Sequence, residues 1–217
     1  MEVSSLLISN GMQEIDFIFT IAALIMSVVV HEVSHGYVAD ILGDPTARFS
    51  GRLTLNPLKH LDPIGSFLVP VLSYFSAGFL FGWAKPVPYN PYNLKNQRWG
   101  ELMVSAAGPL SNFLIAIAFG LIIRFSSNLG IESAAFLSLS ASIVFLNIIL
   151  GVFNLVPIPP LDGSKVLFSL LPLKFRYIQD ILERYWPIAL IIFIFFLWQF
   201  IAPIARFLFI LITGGTL

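Results

Sequence analysis

An almost unbroken apolar run from Ile15 to Val30 leads directly into His31-Glu32-Val33-Ser34-His35. With the residues that follow it, the run reaches the ~20 apolar residues that carry a helix across a bilayer. On such a helix His31 and His35 stand at i and i+4, on one face and about one turn apart. That spacing suits two ligands of one tetrahedral zinc ion. Glu32, next to the first histidine, is placed to act as general base on a water at the metal. A soluble metalloprotease carries this motif on a water-facing helix; here the surroundings argue for the same chemistry inside a membrane.

The rest of the chain has the same character. Of its 217 residues 57% are hydrophobic and only 11% charged, against about 25% charged in an ordinary soluble domain. The length allows a handful of transmembrane helices and no separate soluble domain of normal size. The formal net charge is zero, so no nucleic-acid partner is expected. There is no cysteine, which excludes disulfides and any Cys-ligated zinc and leaves the redox compartment undetermined. Met1 to Glu14 carries no Lys or Arg, so a cleavable signal peptide is not expected.

The expected fold is an all-α polytopic membrane protein, one membrane-embedded domain over residues 1–217. Four spanning helices are read at about 15–42, 101–124, 133–156 and 186–212. A further apolar run, Ile64 to Phe81, contains Gly65, Pro70 and Gly78 and reads as re-entrant, since broken backbone is tolerated where protein buries it. Arg48 to Leu55 alternates apolar and polar residues and reads as a short strand, with Phe79 to Pro88 extended beside it, together a small membrane-associated β-hairpin or sheet. Its free edge would hold an unwound substrate segment by β-augmentation.

Lys and Arg cluster between the first and second spans (Arg48, Arg52, Lys59, Lys85, Lys95, Arg98) and between the third and fourth (Lys165, Lys174, Arg176, Arg184). With four spans both clusters fall on one side, which the positive-inside rule makes cytoplasmic, with both termini outside. Trp83, Trp99, Tyr185 and Trp186 then belong to an interfacial belt. From His31 to Leu42 is about eleven residues, ~16 Å of helix, so the motif lies in the cytoplasmic half, sunk below the surface.

A catalytic zinc takes three protein ligands and keeps one open position. The candidate third ligand is Asp162, at the end of Asn154-Leu155-Val156-Pro157-Ile158-Pro159-Pro160-Leu161-Asp162-Gly163, where the prolines break the helix and impose an extended path. The competing reading is that Asp162 caps a short helix over Ser164–Leu171. His60, the one other histidine, reads as an interfacial loop residue, as Asp16 and Asp40 read as residues at the ends of the first helix. Ala106, Ala107 and Gly108 read as close helix packing, and Arg206 as a snorkelling side chain. Asn112 and Asn154 either bond neighbouring helices or contact the substrate or its oxyanion.

The ordered set of motifs resembles the site-2 protease family of intramembrane zinc metalloproteases. The matches are His31 through His35, Gly51-Arg52-Leu53-Thr54-Leu55-Asn56-Pro57, Gly82-Trp83-Ala84-Lys85-Pro86-Val87-Pro88, Ala107-Gly108-Pro109-Leu110-Ser111-Asn112, and Asn154 through Gly163. The resemblance is to the short subgroup, without PDZ or CBS modules. It implies that His31, His35 and Asp162 bind one zinc ion per chain, that Glu32 is the catalytic base, and that Asn154 contacts substrate. It also implies regulated intramembrane proteolysis: cleavage of transmembrane segments of other membrane proteins, in a prokaryotic plasma membrane. The oligomeric state stays open. The rival classes are a metal transporter, which would use the same ligands for transit, and an inactive zinc-binding partner protein. Four helices without an internal repeat make a poor alternating-access pore, and a transit site has no need of Glu32.

Overall fold

The computed structural model describes the backbone of residues 2–69, 72, 75, 84–172 and 176–215, and their side chains apart from those of residues 2–17, 67, 176, 191 and 194–198. Helix α1 covers Glu2–Ile41. It stops at Gly43, whose φ of +110° a side chain would resist. There Asp44 N–H bonds Ala39 C=O and Gly43 N–H bonds Asp40 C=O, the paired bonds of a Schellman ending. A single turn, α2 (Thr46–Phe49), follows.

Helix α3 (Gln97–Arg124) starts where the Asn96 side chain accepts the Trp99 N–H. Helix α4 (Ala134–Asn154) starts where Ser133 accepts the Phe136 N–H. Both are ordinary N-caps. The prolines after Asn154 end α4, and the chain re-enters a helix as α5 (Asp162–Leu170). The last helix, α6 (Arg176–Thr213), bends at Tyr185 (φ −108°, ψ 15°), just before Pro187.

Helix α3 is the centre of the bundle: α1, α4, α5 and α6 all pack on it. At one end Ala116, Val144, Ile148, Ala205 and Phe209 form a closed apolar core. Toward the other end the interior turns polar, with Ser27, His31, His35, Asn112 and Asn147 all buried. Outward faces carry residues such as Ile18, Leu114 and Phe207, each about two-thirds exposed. Apolar outside and polar inside is the arrangement of helices packed in lipid.

Two expectations are corrected. Among the described residues there is no strand, so the β-hairpin or sheet does not form. Arg48–Leu55 begins in α2 instead. Gly51 (φ +62°) ends that turn with its own paired bonds, Arg52 N–H to Ala47 C=O and Gly51 N–H to Arg48 C=O, so the alternation of side chains belongs to a helical turn and its exit. Residues 84–90 are neither helix nor strand, and 79–83 lie outside the described residues.

Three helices, not four, are long and apolar enough to cross a membrane among the described residues: Ile18–Ile41, Gln97–Arg124 and Ala134–Asn154. The expected fourth span, about 186–212, lies along α6, where the side chains of residues 191 and 194–198 are outside the described ones; among the described residues the apolar stretch there is Gln199–Thr213. Of the expected re-entrant run, Ile64–Leu68 forms a wide π-type turn, while most of residues 69–81, like Trp83, lie outside the described residues.

Candidate metal centre and active site

His31 and His35 face inward from α1, and Asp162, the first residue of α5, meets them across the bundle. His31 Nε2 lies 3.0 Å from Asp162 Oδ2, His35 Nε2 lies 3.2 Å from the same oxygen, and the two Nε2 atoms are 3.1 Å apart. Among the described residues this is the one group of three such donors close enough to share a metal ion. Tetrahedral ligands at about 2.0–2.2 Å from zinc stand about 3.3–3.6 Å apart, so the triangle needs to open by only a few tenths of an ångström.

The hydrogen bonds behind the rings supply a second test of fit. His35 Nδ1 is 2.6 Å from the Val104 carbonyl, which only accepts, so the ring proton sits on Nδ1. His31 Nδ1 is 2.6 Å from Asn112 Oδ1, with the same consequence. In the neutral rings each Nε2 then carries a lone pair, and both point at a carboxylate oxygen. Protons on both Nε2 atoms would instead set two N–H groups head to head. Three converging electron pairs with no hydrogen among them are a cradle for a cation, and imidazole with carboxylate suits zinc.

Local sequence makes room for this meeting. A Cβ on Gly108 would lie 2.4 Å from His35 Nε2 and 2.6 Å from His31 Nε2, so only glycine leaves the donors their space. A Cβ on Gly163 would lie 2.1 Å from the Leu155 carbonyl oxygen, so the first turn of α5 rests directly on the exit from α4 and brings Asp162 to the histidines. The competing role for Asp162 is absent: Leu161 holds the cap position, and no side chain caps α5.

Glu32 faces a different wall. Its Oε2 accepts the Val87 N–H at 2.9 Å. Gly36, one turn on, lets that wall approach, since a Cβ there would lie 2.7 Å from Val87 Cγ1. The wall is the irregular stretch 84–90, tied down by Arg52, which donates to the carbonyls of Lys85 and Pro86, and by the fully buried Asp44, which accepts the Asn90 N–H. Between wall and metal cradle lies a cavity of about 160 Å³ lined by His31, Glu32, Val87, Asn154 and Asp162, among others. It adjoins a larger groove of about 820 Å³ that shares Glu32 and Lys165 and reaches Glu101 and Glu183.

The two asparagines separate. Asn154 lines the cavity, its Nδ2 bonded to the Leu150 carbonyl. Asn112 is fully buried behind His31, away from the cavity wall. His60 is buried in the loop, its Nε2 2.8 Å from the Thr54 carbonyl and its own carbonyl accepting Lys85 N–H. Sequence reading missed Lys165, which lines the cavity with its Nζ 5.0 Å from the Tyr89 ring centre. Its place one turn after Asp162 was the available signal. It also missed the Val87 N–H and Val104 C=O, and these carry no signal, because every residue has such groups.

A zinc-binding pair on a helix with a glutamate between defines a metallopeptidase, and the apolar helices around it make this one an integral membrane zinc metallopeptidase. Comparison with known proteins gives the family. The profile of peptidase family M50 matches residues 19–140 and 126–197. A Bacillus subtilis protein named as a zinc metalloprotease, YwhC, is 40% identical over 195 residues, which are 87% of this chain and 83% of that one. A protein of Mycolicibacterium smegmatis with the same kind of name is 36% identical over 70% of this chain and 56% of its own. The zinc metalloprotease of Methanocaldococcus jannaschii is 29% identical over 72% of this chain and 35% of its own. No solved structure matches. The chain belongs to peptidase family M50, the site-2 protease family.

Proposed function

We propose that this protein is an intramembrane endopeptidase, cleaving peptide bonds within or next to transmembrane segments of other membrane proteins. The observation that carries this reading is the position of the cradle: His31 and His35 lie inside the apolar span Ile18–Ile41, with Asp162 brought to the same depth. His31 lies ten residues before the end of that span, about 15 Å along the helix. A bond cut there must enter the bilayer's thickness.

In this reading His31, His35 and Asp162 hold zinc, which when bound supplies a Lewis acid that acidifies water and polarises the scissile carbonyl. Glu32 moves the protons. The Val87 N–H holds Oε2 and leaves Oε1 to take a proton from water and return it to the leaving amine. Asn154, on the cavity wall, offers its amide to the substrate backbone. The small cavity has room for water, of which one molecule needs only ~10–15 Å³, and the groove beside it gives an entry. The basic residues flanking the motif end of the bundle support a cytoplasmic position for the site in a prokaryotic plasma membrane, with both termini outside where α6 crosses as a fourth span. A membrane-tethered regulator is the expected substrate class.

The test pairs zinc content with cleavage of a model transmembrane substrate, in detergent and in vesicles. Glu32→Gln is expected to keep stoichiometric zinc and lose cleavage by at least ~100-fold. Zinc-loaded wild type that cuts soluble peptides but no transmembrane segment would sink the intramembrane reading.

A further inference from the structure

The free lone pair on His31 Nε2 depends on the direction of one side-chain amide, and that direction is set two residues away. The Ile143 carbonyl can only accept, so the group 2.9 Å from it on Asn147 is the NH2. The same nitrogen lies 2.9 Å from Ser27 Oγ. Asn147 Oδ1 therefore faces Asn112, 2.9 Å from its Nδ2. Asn112 in turn has to present NH2 toward Asn147 and the Ser27 carbonyl, leaving Oδ1 for His31 Nδ1. An amide turned the other way would set oxygen against oxygen at Asn147 and would donate to His31 Nδ1, which moves the ring proton to Nε2 and takes away the ligand lone pair. Asn112 and Asn147 are both fully buried, so no solvent relieves that mismatch.

We propose that Asn147 is a positioning residue for the metal site: it fixes the orientation of Asn112 and, through it, the tautomer in which His31 offers Nε2 as a ligand. The relay runs from the α4 backbone through α3 to α1, so a carbonyl in one helix decides the proton position on a ring in another. Asn147 touches neither zinc nor the cavity. The inference rests on the reading of His31 as a zinc ligand.

Zinc affinity of the full-length protein in detergent, measured by competition with a chromophoric chelator, tests it. Asn147→Leu is expected to weaken zinc about 10–100-fold, the range for residues supporting a metal ligand. Adding Asn112→Asp to that variant is expected to restore at least tenfold, because a carboxylate accepts from His31 Nδ1 whichever way it turns. Wild-type affinity in Asn147→Leu would overturn the proposal. A loss that Asn112→Asp does not repair would overturn it too, since a packing defect is indifferent to that change. If Asn147→Leu does not elute as folded protein, Asn147→Ser replaces it; serine keeps a bond to the Ile143 carbonyl and withdraws the oxygen from Asn112. His31→Ala in the same titration separates the two claims: undiminished zinc there would remove the ligand reading on which the proposal stands.

Discussion

Two carboxylates, the fully buried Asp44 and the partly buried Asp162, adjoin the wall formed by residues 84–90, and their surroundings are opposite. Asp44 is fully buried and accepts from the Thr46 N–H and hydroxyl, the Asn90 N–H and the Asn93 amide. Every lone pair it needs to satisfy meets a hydrogen. Asp162 meets two imidazole nitrogens that carry lone pairs in the neutral rings, whose protons are held at Nδ1 by Asn112 and Val104. A carboxylate ringed by donors is complete and serves structure. One ringed by lone pairs is complete only with a cation. The same functional group is thus a latch in one place and a candidate metal ligand in the other, and the difference lies in what faces it.

Amide-for-acid replacement breaks the comparison most sharply. Asp162→Asn is expected to lower zinc affinity beyond the ~10–100-fold typical of a supporting residue, because it removes the only charge in the cradle; chelator competition measures it. Gly108→Ala is expected to come next, displacing both Nε2 atoms and reducing zinc content and cleavage while the helices still form, as circular dichroism would show. Asp44→Asn is expected to leave zinc affinity unchanged. It turns an NH2 toward groups that donate, at a cost of about 1–3 kcal/mol in unfolding measured in detergent. Cleavage is expected to fall with it, through the wall that holds Glu32.

The smallest expected effect is a pH dependence. Burial alone would raise the Asp44 carboxyl, but hydrogen bonds from the Thr46 hydroxyl, the Asn90 N–H and the Asn93 amide hold it below the ordinary carboxylate range. Because the folded pKa is the lower one, its stabilisation is present above the unfolded value of about 4 and is lost as pH falls toward the folded value. Wild type is expected to lose stability on acidification through that window. Asp44→Asn should lose less there, and equal acid limbs would show that Asp44 is no latch.

Much of the site was readable before the fold was known. His31, Glu32 and His35 lie within one helical turn, so their mutual geometry is local. Asp162 was approachable because prolines announce the break that frees it. Gly108 was visible as a small residue, but its task of leaving space for two imidazoles was not. The strand expected at Arg48–Leu55 failed because Gly51, read as one of an apolar set, instead ends a helical turn with positive φ. Period-two alternation over so short a stretch does not distinguish the two.

By itself the sequence determined the class of the protein and singled out His31, His35 and Asp162 as candidate ligands with Glu32 beside them. Hydropathy and i,i+4 spacing act over one helix and need no partner to take effect. Only the tertiary structure decided which nitrogen of each histidine is free, where Asn112 stands, and that Asp44 and Asp162 differ. Those outcomes depend on contacts between residues 81 and 131 positions apart, His31 with Asn112 and with Asp162. A hydrogen bond has a direction, and that direction exists only once both ends have been brought together.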